Sequence, residues 1–252
     1  MRLTILGSGT SHGIPVVGCS CSVCRSENLI NNRTRASALI ETGSSVFVID
    51  TSTDFRFQAL RERLTKLDFV LFTHSHADHV HGLDDLRPLT RADSIPAFGN
   101  ALTIKDLKKR FSYLFNSSHE GGGVPRIDFN VLPPGKHRIG DIEITPVPVS
   151  HGSLEIYGYR FGSLAYITDC SFIPESSWSI LKGIDLLVIG ALRYKKHSTH
   201  FNVDEAAAAA EKSGCRKAWI THMCHDIEHT ALEKQLPSNI SVSYDGLKID
   251  FE

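Results

Sequence analysis

The densest chemistry in this sequence lies in one short segment, "THSHADHVH", which places four histidines and one aspartate between Thr73 and His81. Imidazole and carboxylate groups are costly to bury together without partners, and a bound cation satisfies both kinds of group. The apolar run Phe69–Thr73 predicts a buried strand, so the segment begins where the chain leaves a sheet. The segment therefore predicts a metal site at a sheet edge.

Three further residues of the metal-binding type each follow another strand-like run. His151 follows "EITPVPVS", Asp169 follows "LAYIT" and His222 follows "KAWIT". Any one of them alone is compatible with an ordinary hydrogen bond at a strand end. Together with the H-x-H-x-D-H motif that begins at His74, they predict one set of ligands gathered at the ends of several strands.

With this set complete, the chain resembles the metallo-β-lactamase-fold hydrolases. The resemblance covers almost the whole chain and implies an α/β fold, the αββα four-layer sandwich, formed by one domain over residues 1–252. It also implies two catalytic divalent metals, and nitrogen and oxygen ligands suit Zn, Mn or Fe. By this resemblance one metal is held by His74, His76 and His151, the other by Asp78, His79 and His222, with Asp169 bridging the two.

A second cluster, of cysteines, lies near the start of the chain in "GCSCSVC". Cysteines this close in sequence cannot all pair with one another, and a reducing compartment disfavours disulfides. The cluster therefore predicts a metal site. The other thiols, Cys170 and Cys215, are interpreted as ordinary buried residues.

The N-terminal segment "LTILGSGTSHGIPVVGCSCSVC" resembles the PhnP-type branch of the same fold, the phosphodiesterases associated with carbon–phosphorus lyase. In that branch the cysteine cluster and one histidine near the C-terminus hold a structural zinc. Three thiolates and one imidazole form a closed tetrahedral set, as a structural site requires. The positions implied here are Cys19, Cys21, Cys24 and His225. Cys224 is the alternative to His225 as the fourth ligand.

Hydrolysis of a phosphodiester also needs a proton for the leaving oxygen. His197 and His200 precede an alanine-rich helical pattern in "KKHSTHFNVDEAAAAA". In phosphodiesterases of this fold a histidine before such a helix is the usual donor, and His200 matches that position better. The ordinary pKa of histidine suits this role. Asp78, among the ligands, and His200 are therefore the expected catalytic residues.

Recognition of the substrate phosphate is less clearly encoded. The glycine-rich turn Gly7–Gly13 could bring backbone N–H groups close to an anion, or it could be a turn alone. Arg193, Lys195 and Lys196 could attract an anionic substrate, or they could form a solvated face. His81 is expected to lie outside the ligand set.

Composition excludes several classes of protein. The chain has 252 residues, 41% of them hydrophobic, which is enough for a large core. A formal charge of −1 with 22% charged residues gives no polybasic face for nucleic acid or for a membrane. The apolar runs have the length of strands, and "MRLTILGSGT" has no hydrophobic region typical of a signal peptide. We expect a cytoplasmic protein.

Strand-like and helical patterns alternate along the chain, which favours sheets covered by helices. The segment Asn116–Gly123 is predicted to be a mobile loop. Helical patterns cover Asp54–Thr65, Thr103–Leu114, Val203–Ser213 and Ile227–Gln235. Strand patterns cover Leu3–Leu6, Ala38–Glu41, Val46–Asp50, Phe69–Thr73, Ile142–Pro148, Tyr157–Phe161, Leu164–Thr168, Leu186–Ile189, Ala218–Thr221 and Leu247–Phe251.

The combined expectation is a phosphodiesterase that acts on a small anionic substrate, a cyclic ribosyl or nucleotide phosphodiester. Three alternatives remain open: a PqqB-like protein, a tRNA 3′-processing nuclease of the same fold, and a metal-stabilised binding module without turnover. The nuclease would carry a long basic inserted arm, which we do not find. The chain is also a candidate homodimer, with no membrane partner and no strong sign of a nucleic-acid partner.

Overall fold

Two seven-stranded sheets pack face to face, and helices cover their outer surfaces. The structure is a computed structural model that describes residues 1–90, 93–115 and 123–252. This architecture is the α/β sandwich that the resemblance implied. The loop predicted at Asn116–Gly123 lies outside the described residues, except for Gly123. Within the described ranges, no helix combines the length and apolar character needed to cross a membrane.

The elements alternate along the chain as follows. The strands are β1 Arg2–Gly7, β2 Ser37–Glu41, β3 Val46–Ile49, β4 Phe69–Leu71, β5 Ile95–Gly99, β6 Ile127–Val131, β7 His137–Ile139, β8 Ile142–His151, β9 Leu154–Phe161, β10 Leu164–Ile167, β11 Leu186–Gly190, β12 Lys217–Thr221, β13 Ile240–Val242 and β14 Lys248–Asp250. The α-helices are α1 Phe55–Arg61, α2 Ala77–Val80, α3 Ala101–Arg110, α4 Glu175–Leu181, α5 Val203–Ser213 and α6 His229–Glu233. Shorter 3₁₀ turns span Leu29–Asn31, Leu83–Thr90 and Ser112–Phe115.

Each sheet contains an antiparallel part and a parallel part. The first sheet has the order β14-β1-β2-β3-β4-β5-β6, and its strands β3 to β6 are parallel. The second sheet has the order β13-β12-β11-β10-β9-β8-β7, and its strands β10 to β13 are parallel. Parallel neighbours end at the same edge of a sheet. The residues that follow β3 and β4 therefore emerge together, as do those that follow β10 and β12.

Apolar side chains point from both faces of each sheet, so the two sheets form three apolar layers: one between them and one on each outer side. In β2, Ile40 packs in the layer between the sheets, whereas Leu39 faces the helices α1 and α3. In β10, Tyr166 faces the layer between the sheets and Ile167 faces the helices α4 to α6. Successive side chains of a strand point to opposite faces, so strands that are apolar at every position suit sheets covered on both sides.

Candidate metal centre

The histidine-rich segment forms a tight turn directly after β4. His74 is fully buried, His76 is exposed in an extended conformation, and the next residues form the single turn of α2. Asp78 and His79 both lie within that turn. The change from strand to helix therefore directs four side chains toward the same sheet edge.

Three other residues at this edge adopt a left-handed backbone conformation. Asp50 follows β3 with φ 62°, Asp169 follows β10 with φ 49° and His222 follows β12 with φ 58°. This conformation costs a residue other than glycine roughly 1–2 kcal/mol, and aspartate tolerates it better than most. In each case it turns the chain sharply, so that the side chain lies over the end of the sheet.

The ligand atoms form two groups that share Asp169. Within each group the ligand atoms lie within 4.8 Å of one another. Asp169 Oδ1 lies 3.2 Å from His79 Nε2 and 3.1 Å from His222 Nε2. Its other oxygen, Oδ2, lies 3.9 Å from His74 Nε2. The groups are His74, His76, His151 and Asp169, and Asp78, His79, Asp169 and His222.

Several of these ring nitrogens have no hydrogen-bond partner among the described residues. They are the buried Nε2 atoms of His74 and His79 and both ring nitrogens of His222. A buried polar atom without a partner costs about 1–3 kcal/mol, so a native site that contains several of them is built for a ligand. Imidazole and carboxylate donors directed at common points fit divalent cations. This site binds divalent metals.

The protonation states of these side chains also favour the binding of cations. Burial and the neighbouring histidines hold the pKa values of His74 and His76 below the usual range. Burial opposes ionisation of Asp169, but His222 and His79 outweigh it and hold its pKa well below the usual value. At neutral pH His74 and His76 are therefore neutral and Asp169 is ionised, the forms in which these groups bind metals. Burial opposes charge on His79, but Asp169 and Asp78 outweigh it and hold its pKa well above the usual value, so a bound cation would replace its proton.

Asp50 is a site residue that the sequence analysis did not identify. Its carboxylate accepts a 2.7 Å hydrogen bond from His79 Nδ1 and a 2.8 Å hydrogen bond from the Thr73 hydroxyl. Thr73 Oγ1 in turn lies 3.0 Å from His74 Nδ1. One buried carboxylate therefore orients a histidine in each group and leaves their Nε2 atoms to face the metals. The signal was present, because Asp50 follows a strand, as several of the ligands do.

We expect Asp50→Asn to weaken metal binding by about 10–100-fold, because an uncharged amide replaces the carboxylate that accepts from His79 and Thr73 and so orients the histidines. Competition with a chromogenic chelator measures this affinity. Asp245→Asn is the matched control, since Asp245 is a mostly buried carboxylate, 11% exposed, that accepts hydrogen bonds from Ser8 and Thr34 outside the site. Equal metal affinity in the two variants would contradict the role assigned to Asp50.

The two candidate proton donors lie at one side of the groups. The His200 ring lies 4.6 Å from the ring of His151 and 5.0 Å from that of His222, and its Nδ1 lies 3.9 Å from Asp169 Oδ2. His197 lies farther out, 5.2 Å from His200 between ring centroids. Burial lowers the pKa of His200 to about 3, so its imidazole is neutral at neutral pH.

The cysteine cluster and His225 form a separate group, which we call the thiolate group. Its Sγ atoms lie 3.2 Å (Cys19), 3.5 Å (Cys24) and 3.8 Å (Cys21) from His225 Nδ1. Backbone N–H groups of Val16 and Cys24 donate to the sulfurs of Cys24 and Cys21, respectively. Cys224 is not a member of this group.

One loop joins the thiolate group to the His/Asp groups, since His222 and His225 are only three residues apart. Met223, between them, hydrogen-bonds to the first loop through its N–H (to Ser8 O, 3.0 Å) and its carbonyl (from Thr10 N, 3.1 Å). A Cβ at Gly9 would lie 2.7 Å from Arg33 O, so this glycine is explained by close backbone packing. The glycines of the turn therefore have a structural reason independent of phosphate.

Other residues that the sequence singled out lie outside both metal-binding regions. Cys170 and Cys215 are buried, and His81 is exposed against Phe111. Of the three basic residues in the loop before α5, Lys195 and Lys196 are exposed. Arg193 alone of the three contacts a pocket beside His200.

The fold and the site together define a metal-dependent hydrolase with the metallo-β-lactamase architecture. Residues 46–223 match the family model described as the beta-lactamase superfamily domain. A solved structure described as a new diphosphatase from the PhnP family superposes with a TM-score of 0.93 at 41% identity, and the match covers 100% of this chain and 98% of that one. The chain belongs to the beta-lactamase superfamily and, within it, to the PhnP-like hydrolases.

Two further relatives differ in what they support. An octanoyltransferase from Porphyromonas gingivalis is 37% identical over 98% of this chain but over only 51% of its own length, so the chain spans about half of that relative. The Zn²⁺-bound PqqB structure from Methylobacterium extorquens has a TM-score of 0.79 at 18% identity, with 100% of both chains covered. At that identity the match supports the fold alone.

Proposed function

We propose that this chain is a phosphodiesterase with a dinuclear metal site, which hydrolyses a small anionic phosphodiester by attack of an activated water at phosphorus. The observation that carries the proposal is the position of Asp169, whose two oxygens face two different sets of histidines. The 41% identity to the PhnP-family diphosphatase supports phosphoryl chemistry. A cyclic ribosyl or nucleotide diester is the substrate class that we favour.

The metals that we assign are two catalytic ions, Zn, Mn or Fe, and one structural Zn in the thiolate group. When bound, two such ions lower the pKa of water to about 7 and neutralise charge on phosphoryl oxygens. Asp169, which faces both sets of histidines, would hold both ions. Asp78, partly exposed and 3.3 Å from His79 Nε2, is placed to orient the attacking water.

His200 provides the proton for the leaving oxygen in this proposal. Its imidazole lies at the side of the groups and is 14% exposed, so a substrate can reach it. Burial keeps it neutral in the free protein, and a bound anionic diester raises its pKa by favouring the charged form. A bound diester therefore increases the fraction of His200 that carries the proton needed by the leaving oxygen.

A turnover screen tests this function. We expect hydrolysis of bis(p-nitrophenyl) phosphate and no comparable hydrolysis of a thioester or a β-lactam by the same preparation. A thioester turned over faster than the diester would refute the proposed function. If the chain lies beside genes for carbon–phosphorus lyase, the ribosyl substrate is favoured over a nucleotide.

We expect three metals per chain. The His/Asp groups and the thiolate group share no residue, so each can hold its own metals. Elemental analysis of the purified protein after reconstitution measures the number and the identity. Two metals in the Cys21→Ser variant would assign the third to the thiolate group, whereas at most one metal in the intact protein would contradict the dinuclear site.

A further inference from the structure

A pocket of about 380 Å³ opens between the His/Asp groups and the thiolate group. His200, beside the His/Asp groups, and His225, of the thiolate group, both line it. Three loops form its walls: the turn after β1, the loop before α5 and the loop after β12. Its volume is in the range of sites that hold small organic groups.

The position of His200 determines which part of a substrate this pocket receives. In the proposed reaction His200 protonates the leaving oxygen, so the leaving group must lie on the His200 side of the phosphorus. Because His200 itself lines the pocket, the pocket lies on that side, and His197 and His12 also line it. The pocket is therefore placed to receive the leaving group.

Arg193 is the cation of this pocket. Its side chain donates to the backbone carbonyls of Lys195 (3.3 Å) and Lys196 (3.1 Å), which hold the guanidinium in place. In the part of the chain that the structure describes, no carboxylate lies within 4.0 Å of it, and the one carboxylate of the lining, Asp226, is exposed. A fixed guanidinium without an acidic partner suits an anion.

We propose that Arg193 determines specificity by binding an anionic substituent, a carboxylate or a phosphate, on the leaving group. This inference depends on the proposed phosphodiesterase function. Lys195 and Lys196, although basic and adjacent in sequence, do not line the pocket. The effect is therefore a local contact of Arg193 and not attraction by the whole basic loop.

Two chromogenic diesters test the proposal: methyl 4-nitrophenyl phosphate and methyl 3-carboxy-4-nitrophenyl phosphate. They share the scissile bond and the chromophore and differ only in a carboxylate on the leaving group. We expect the intact protein to favour the carboxylated ester in kcat/KM by about tenfold, the scale of one charge-assisted hydrogen bond, mainly through KM. The ratio should fall to near one in Arg193→Gln and stay partly raised in Arg193→Lys.

Lys195→Gln is the matched control, because it removes the same charge from the same loop outside the pocket. It should keep the ratio of the intact protein. Equal hydrolysis of both esters by the intact protein, or an equal loss of preference in Lys195→Gln, would overturn the role of Arg193 and leave the proposed function standing. If neither ester is hydrolysed while a thioester is, the proposed function itself fails.

Discussion

Replacing His200 with alanine is expected to lower kcat/KM for alkyl or ribosyl cyclic diesters by about 10²–10⁴-fold, the usual contribution of general acid catalysis. An alkoxide is a poor leaving group and needs a proton as the bond breaks. A p-nitrophenolate is already a stable anion, so p-nitrophenyl diesters should retain much of their hydrolysis. Parallel kinetics on one ester of each type, with metal content measured, separate the two effects.

His79→Ala provides the contrast for this prediction. His79 belongs to a metal-binding group and contacts Asp50 and Asp169, so its loss should damage the hydrolysis of both ester types equally. If His200→Ala lowered both ester types by the same factor with unchanged metal content, the donor assignment would be wrong. His197, 5.2 Å away, would then be the next residue to test.

Cys21→Ser is expected to remove one metal per chain and to lower the melting temperature substantially. A ligand present at about 1,000 times its dissociation constant contributes about 4 kcal/mol to the folded state. In a domain of this size each kcal/mol corresponds to about 2–4 °C, so a drop of roughly 10 °C is expected. Calorimetry together with elemental analysis measures both changes, and the His/Asp metals should be retained.

Cys224→Ser is the control, because Cys224 is next to His225 in sequence but outside the thiolate group. It should keep the full metal content. If Cys21→Ser kept its melting temperature and its zinc, the thiolate group would not be a metal site. If Cys224→Ser lost the third metal, Cys224 would be a ligand after all.

Much of the fold could be predicted because its signals are local. The helix Val203–Ser213 has the predicted bounds, since Asn202 and Glu205 form a capping box at its start and Gly214 ends it. Strand β5, Ile95–Gly99, was not predicted. It contains Pro96, which weakens a strand pattern, yet it lies inside the sheet between β4 and β6.

The residues of the two candidate metal groups could be predicted from the sequence, but the hydrogen bonds that link them could not. The two groups contain the residues that the resemblance implied, because each ligand follows a strand or a short motif that can be read locally. The link from Asp50 through Thr73 to His74 depends on two strands being neighbours in a sheet. The pocket that contains Arg193 could not be predicted either, because it is built from loops that are far apart in sequence.

The left-handed backbone at Asp50, Asp169 and His222 sets thermal stability against the side chains of the site. Glycine at these positions would relieve roughly 1–2 kcal/mol of strain each, but it would delete a ligand or an orienting carboxylate. Arg63, with φ 54° just beyond α1, carries the same kind of strain with no ligand at stake. Stabilising substitutions in this fold therefore belong at positions such as Arg63, whereas the strain at the metal edge accompanies side chains that the metal groups need.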